Sequence, residues 1–172
     1  MPSSDTRPAY SEAWYWEQRY VEQGSGLSGE ATGLIDGTEW YTGWPALREH
    51  LCRHDGPLGA AALRMPGPVL ELGSGDSALA AGMADDGFAV VATDFSPAAV
   101  LRASQWSTRF AARASFVVAD ARALPFRSDF FDAVVDKGCF DAIRQRDCAA
   151  VLNETLRVLQ PGGRFICVSN CE

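Results

Sequence analysis

The sequence predicts a doubly wound α/β domain built on a mostly parallel sheet. Three observations carry that prediction. From residue 68 onward, short Val-rich segments alternate with helical ones. Those short segments are apolar almost continuously, as strands are when helices cover both faces of their sheet. The first of them also runs straight into a Gly-x-Gly turn and a small-residue helix, "VLELGSGDSALA" at residues 69–80.

Taken in chain order, residues 1–10 are polar and Pro-containing and read as a mobile tail. "SEAWYWEQRYVEQG" reads as a helix, with Ser11 as a candidate N-cap and Gly24 as its stop. The stretch 24–43 carries six glycines and ends in Glu39-Trp40-Tyr41, which suits a lid loop. A short helix, "PALREHLCRH", follows, with Pro45 at its first position and Gly56 just beyond it. The region 11–67 thus forms an N-terminal layer of helices and lid on a core spanning 68–172, in one domain. In the core, strands are expected at 68–72, 88–93, 115–119, 131–136 and 164–169. Helices are expected at about 77–86, 97–112, 139–144 and 147–159, with Ser96-Pro97 opening the second and Pro161-Gly162-Gly163 turning the last into the final strand.

Bulk properties narrow the function. A chain of 172 residues with 47% hydrophobic and 22% charged residues has the composition of one folded globular domain. A formal charge of -7 lacks the basic footprint that general binding to nucleic-acid phosphates requires, and it favours encounter with a basic protein. Five cysteines without a C-x-x-C pair, beside two histidines, suggest neither a disulfide framework nor a metal site, so a reducing, cytoplasmic setting is expected. The N-terminus has no signal-like apolar region, and no run of 18 apolar residues occurs, so no membrane association is expected.

Ligands of such sheets lie beyond the carboxyl ends of the strands, near the switch in strand order. Gly73 and Gly75 let the backbone approach a ligand closely. With Ala78 they match the G-x-G-x-x-A spacing of a dinucleotide cradle, and Asp94, 21 residues past Gly73, is placed to accept ribose hydroxyls. A nicotinamide dinucleotide and S-adenosylmethionine compete for such a turn, and three features separate them. Glu71, two residues before the first glycine, would repel a pyrophosphate but would welcome a cationic amino-acid group. Asp120, past the third strand, can accept from an adenine amino group, with the Ala121 N–H available to the ring. Trp16 and Tyr20, four apart on one helix face, suit a sulfonium cation. Together they favour S-adenosylmethionine, with a nicotinamide dinucleotide, and so an oxidoreductase, as the lesser alternative.

Four ordered motifs, "VLELGSG", "VVATDFS", "VVADARALPF" with "FDAVVDKG", and "RVLQPGGRF", resemble the class I S-adenosylmethionine-dependent methyltransferases and extend over residues 69–168. More narrowly, "YWEQRY", "GSGDSALA", "DKGCFDAI" and "VLNETLRVLQPGGRFI" resemble the lysine methyltransferases of translation elongation factor 1-alpha. That resemblance implies a Rossmann-like core, S-adenosylhomocysteine as coproduct, and a protein substrate such as elongation factor 1-alpha. It also implies cofactor contacts from Trp16, Tyr20, Trp40, Tyr41, Gly73, Asp94, Phe95, Asp120, Ala121 and Lys137. Two departures stand out. The glycine turn reads Ser74-Gly75-Asp76 where the family has Cys-Gly-Asn, and the C-terminal strand hairpin usual in class I enzymes is expected to be lacking. An outer fifth strand would then offer an edge for pairing two copies.

Methyl transfer to lysine needs alignment, exclusion of water and a deprotonated amine. Asp136, at the end of the fourth strand, is the carboxylate expected to orient that amine, with Lys137 neutralising it or holding the cofactor's surroundings. The same residues also allow a methyltransferase for small molecules, or a cofactor-binding module without catalysis.

Overall fold

The computed structural model describes residues 10–25, 39–52, 63, 67–107 and 114–169. The tail before Tyr10 and most of the Gly-rich stretch expected to form a lid, residues 26–38, lie outside the described residues. Six α-helices and five strands follow in the order α1 (Ala13–Ser25), α2 (Trp44–Leu51), β1 (Pro68–Leu72), α3 (Leu79–Asp85), β2 (Ala89–Asp94), α4 (Pro97–Ser107), β3 (Ala114–Val118), β4 (Phe131–Lys137), α5 (Cys139–Ala142), α6 (Cys148–Val158) and β5 (Leu159–Val168). A 3-10 turn, Gln145–Asp147, leads into α6.

All five strands are parallel, in the order β3-β2-β1-β4-β5. This is the doubly wound, Rossmann-like sheet that the alternating pattern predicts. Strand order reverses between β1 and β4, and there the carboxyl ends splay into a crevice. Side chains alternate along β1. Val69 joins Trp44, Leu47, Leu79, Met83 and Val90 on one face, while Leu70 and Leu72 join Phe131, Val134, Val151 and Val158 on the other. Burial on both faces explains why the strands carry no polar alternation. Glu71 shares Val69's face and therefore brings a carboxylate into an apolar layer beside α3.

Several boundaries shift for identifiable reasons. The first helix begins at Ala13, with the Tyr15 N–H bonded to the Glu12 carbonyl, and it continues through Gly24. α3 begins at Leu79 because Ser77 and the Ala78 N–H are bonded to a distant carboxylate, Glu39. β5 pairs with β4 from Leu159, but its register jumps between the Phe131 and Ala133 partners, which places Pro161-Gly162-Gly163 in a bulge rather than a free turn. The chain's middle is fastened by Arg157 of α6, which donates to the carbonyls of Phe126 (2.7 Å) and Leu124 (2.9 Å) and pairs with Glu154. Among the described residues, no helix is long and apolar enough to cross a membrane.

Candidate active site

The turn after β1 is shaped by two left-handed glycines, Gly73 (φ 56°) and Gly75 (φ 54°). A Cβ on Gly73 would lie 2.5 Å from Cys139 Sγ, and one on Gly75 would lie 2.5 Å from the Tyr20 hydroxyl. Both space and conformation therefore demand glycine. Asp94, at the end of β2, holds the turn from below. Its Oδ2 accepts from the Gly75 N–H and its Oδ1 from the Ser96 N–H, both at 2.9 Å. Burial pushes the Asp94 carboxyl up to about 6, against the pull of those two N–H groups.

Glu71 is 1% exposed, and its Oε2 has no hydrogen-bond partner. Burial pushes its carboxyl up to about 8, with Lys137 opposing the shift and the carboxylates of Glu39 and Asp94 adding to it.

One wall of the cavity is aromatic. Trp16 stacks on Tyr10 (5.6 Å between centroids) and on Tyr20 (6.1 Å), and meets Trp40 edge-on at 5.9 Å. The Trp16 indole N–H donates to the Tyr10 carbonyl at 2.6 Å. Arg19 lies behind this wall, its guanidinium 5.4 Å from the Trp40 ring centre. Helix α1 is fixed to the core by Glu17, which accepts from the Ser96 hydroxyl at the start of α4.

The structure gathers the sequence-predicted residues into two adjoining hollows. Trp16, Tyr20, Trp40, Tyr41, Glu71, Gly73, Gly75, Asp94, Phe95 and Lys137 line the first. Asp120 and Ala121 line the second, which shares Tyr10, Trp16, Gly73, Asp94 and Phe95 with it. Asp120 pairs with Arg122 at 2.7 Å, which holds its carboxyl below the usual range.

Asp136 differs from its expected role. It lines neither hollow. Its Oδ1 accepts from the Phe140 N–H at 3.0 Å and its Oδ2 from the Cys167 thiol at 3.1 Å. Strand alternation turns Lys137, not Asp136, into the cavity, so Asp136 fastens the start of α5 against β5.

Two further groups carry no signal in the sequence pattern. Glu39 accepts from the Ser77 hydroxyl (3.0 Å), the Ala78 N–H (2.9 Å) and Lys137 Nζ (3.0 Å), so it ties the Trp40-Tyr41 segment to both the glycine turn and β4. Asp76, the unusual residue of that turn, is buried and meets Arg102 Nη2 of α4 at 3.1 Å. A carboxylate there is tolerated because α4 supplies the cation.

The residues fit an adenosine cofactor that carries an amine. Glu71 has an unsatisfied oxygen for an ammonium, and the Asp94 oxygens retain acceptor capacity for ribose hydroxyls. Asp120 and the Ala121 N–H flank a separate hollow that suits an adenine.

Comparison with known proteins points the same way. A methyltransferase domain family matches residues 69–163. The "eEF1A lysine and N-terminal methyltransferase homolog" of Drosophila pseudoobscura pseudoobscura is 28% identical over 95% of this chain and 23% of its own length. The "EEF1A lysine methyltransferase 4" of Mus musculus is 30% identical over 94% of this chain and 62% of its own. The demethylmenaquinone methyltransferase of Beutenbergia cavernae is 38% identical over 63% of this chain and 43% of its own. A solved structure from Methanococcus maripaludis shares the fold, superposing with a TM-score of 0.57 at 24% identity and covering 60% of this chain and 48% of that one. The chain thus spans less than two thirds of the length of each relative.

Proposed function

The chain belongs to the S-adenosylmethionine-dependent methyltransferases through its methyltransferase domain, and on that premise we propose that it methylates a lysine of a protein substrate, with translation elongation factor 1-alpha as the acceptor. The observation that carries this reading is the reach of the likeness beyond the domain match. The lysine methyltransferase relatives align with 94–95% of the chain and so take in α1 and the Trp40-Tyr41 segment, whose rings wall the cavity.

When bound, the cofactor supplies a methyl group already activated on a sulfonium. The chain's own residues do the rest. Glu71 takes the amino-acid ammonium, Asp94 the ribose hydroxyls, and Asp120 with the Ala121 N–H the adenine. Trp16, Tyr20 and Trp40 present aromatic faces to the sulfonium and exclude water. Lys137 holds Glu39 and the Trp40 carbonyl, and thereby keeps the aromatic segment over the site.

Incubation with radiolabelled cofactor and purified elongation factor 1-alpha tests the proposal. Label on a lysine of the factor supports it, whereas no transfer to the factor or to any extract protein counts against it. A small-molecule acceptor is the second reading, favoured by the 38% identity to a demethylmenaquinone methyltransferase across the core. It predicts labelled product that passes a size-cutoff filter. Cofactor binding without any turnover would instead leave a binding module, and pairing of two copies along the outer strand β5 would be read by light scattering. The cytosol is the proposed compartment, in keeping with the reduced thiols of Cys52, Cys139 and Cys148 among the described residues.

A further inference from the structure

Ser74 stands between the two left-handed glycines of the turn and lines the first hollow. Its backbone is engaged on both sides. The Ser74 N–H donates to the Thr93 carbonyl at 2.9 Å, and the Ser74 carbonyl accepts from the Ser77 N–H at 3.2 Å. Thr93 also donates its hydroxyl to the Glu71 carbonyl at 2.9 Å, so one residue of β2 pins the chain at both Glu71 and Ser74.

The side chain is not engaged. Ser74 is 4% exposed, and among the described residues its Oγ meets no hydrogen-bond partner. Such a hydroxyl has given up water without gaining a bond, which destabilises the chain. Glu71 Oε2 is in the same condition, and Glu71 lines the same hollow. The two groups are chemically complementary, because an ionised carboxylate only accepts whereas a hydroxyl donates. Lys137, its side chain 3% exposed, brings a positive charge into that hollow as well. One hollow therefore offers an acceptor for a cation together with a donor and a charge for an anion. A zwitterionic α-amino acid presents both, an ammonium and a carboxylate on a single carbon.

We infer that Ser74 is a specificity-determining residue for the cofactor's amino-acid end, its hydroxyl donating to the carboxylate while Glu71 takes the ammonium. The inference rests on the methyltransferase reading above and deepens it: the first hollow selects the whole amino acid rather than a cationic arm alone. Lys137 keeps Glu39 and the Trp40 carbonyl as its bonded partners and favours the carboxylate through its charge. Because the turn is held at both flanks, the hydroxyl is placed before the ligand arrives, and little ordering cost attends the bond.

Calorimetric titration with S-adenosylhomocysteine and with its decarboxylated form, which keeps the ammonium and lacks the carboxylate, tests this. Ser74→Ala is expected to lose about tenfold in affinity for S-adenosylhomocysteine and to change by less than about twofold toward the decarboxylated form. Ser74→Cys, which fills the same space with a weak donor, is expected to lose most of that affinity too. Thermal unfolding of the ligand-free chain gives a readout that a merely structural serine would move downward. Removing an unpartnered hydroxyl is expected to leave the Tm of Ser74→Ala unchanged or higher. Undiminished S-adenosylhomocysteine binding by Ser74→Ala, or full affinity in Ser74→Cys, overturns the inference. Equal losses for the two ligands, with a lowered Tm, overturn it as well, because Ser74 would then only shape the turn. Failure of the unaltered chain to bind S-adenosylhomocysteine sinks the methyltransferase reading itself, a different result from intact binding that ignores the Ser74 hydroxyl.

Discussion

Lys137 Nζ lies 3.0 Å from Glu39 Oε2 and 3.0 Å from the Trp40 carbonyl, joining the end of β4 to a segment almost a hundred residues earlier. The same lysine opposes the burial-driven shift of Glu71. One cation therefore serves two carboxylates, one on the cavity floor and one that caps the start of α3.

Removing the cation should cost more than removing its outer partner. Lys137→Met takes from Glu39 the cation it pairs with and from Glu71 the one that opposes its shift, whereas Glu39→Gln leaves Lys137 acting on Glu71 and bonded to the Trp40 carbonyl. We expect Lys137→Met to lower unfolding free energy by about 2 kcal/mol or more and Glu39→Gln by about 1 kcal/mol. Urea denaturation of both variants checks the order, and an equal cost for the two would refute the shared-cation arrangement.

Asp94 and Asp136 stand at neighbouring strand ends but should fail differently. Asp94→Ala removes the acceptor of the Gly75 and Ser96 N–H groups together with the ribose acceptor, and we expect S-adenosylhomocysteine affinity to fall by about a hundredfold or more. Asp136→Ala removes the contacts to Cys139, Phe140 and Cys167, so we expect a stability loss of about 1–3 kcal/mol with cofactor affinity nearly unchanged. Calorimetric titration beside thermal unfolding separates the two, and a large affinity loss in Asp136→Ala would return that residue to the cavity.

The contrast between Asp136 and Lys137 also marks what the sequence could convey. The glycine turn, Asp94 and the first four apolar strands are local features and lie within a residue of where spacing predicts, whereas β5 begins five residues early because Pro161-Gly162-Gly163 pairs as a bulge. In "FDAVVDK", however, both faces of the strand are buried, so no polar alternation reveals which of the last two residues points into the crevice. Glu39 and Asp76 were opaque for a different reason. Their partners, Lys137 and Arg102, are brought to them only by the fold.

Gly75 offers a test of close packing. Alanine there must adopt a left-handed backbone, at about 1–2 kcal/mol, and must push against the Tyr20 hydroxyl at 2.5 Å. Tyr20→Phe removes that oxygen and leaves the ring carbon at 3.4 Å. We expect Gly75→Ala to weaken S-adenosylhomocysteine binding by about tenfold, and the double variant to recover part of the loss as a favourable coupling. Strict additivity would show that the hydroxyl is not what crowds the turn.

Glu71 should make stability fall as pH rises. Its carboxyl moves from an ordinary value of 4.5 to about 8 on folding. Between those values the folded chain keeps a proton that the unfolded chain has lost, so raising the pH favours unfolding. Asp94 and Asp136, raised to about 6, act in the same direction but only below that pH. From pH 6.5 to 8, Glu71 alone of the three contributes, with a limiting slope of about 1.4 kcal/mol per pH unit, or about 3 °C in Tm. Glu71→Gln should flatten that stretch. Because the cofactor's ammonium needs the ionised carboxylate, affinity for S-adenosylhomocysteine should rise over the same interval in the unaltered chain and not in Glu71→Gln. Parallel Tm curves for the two proteins from pH 6.5 to 8, or an affinity that does not change with pH, would mean that Glu71 is already ionised and paired before the ligand arrives.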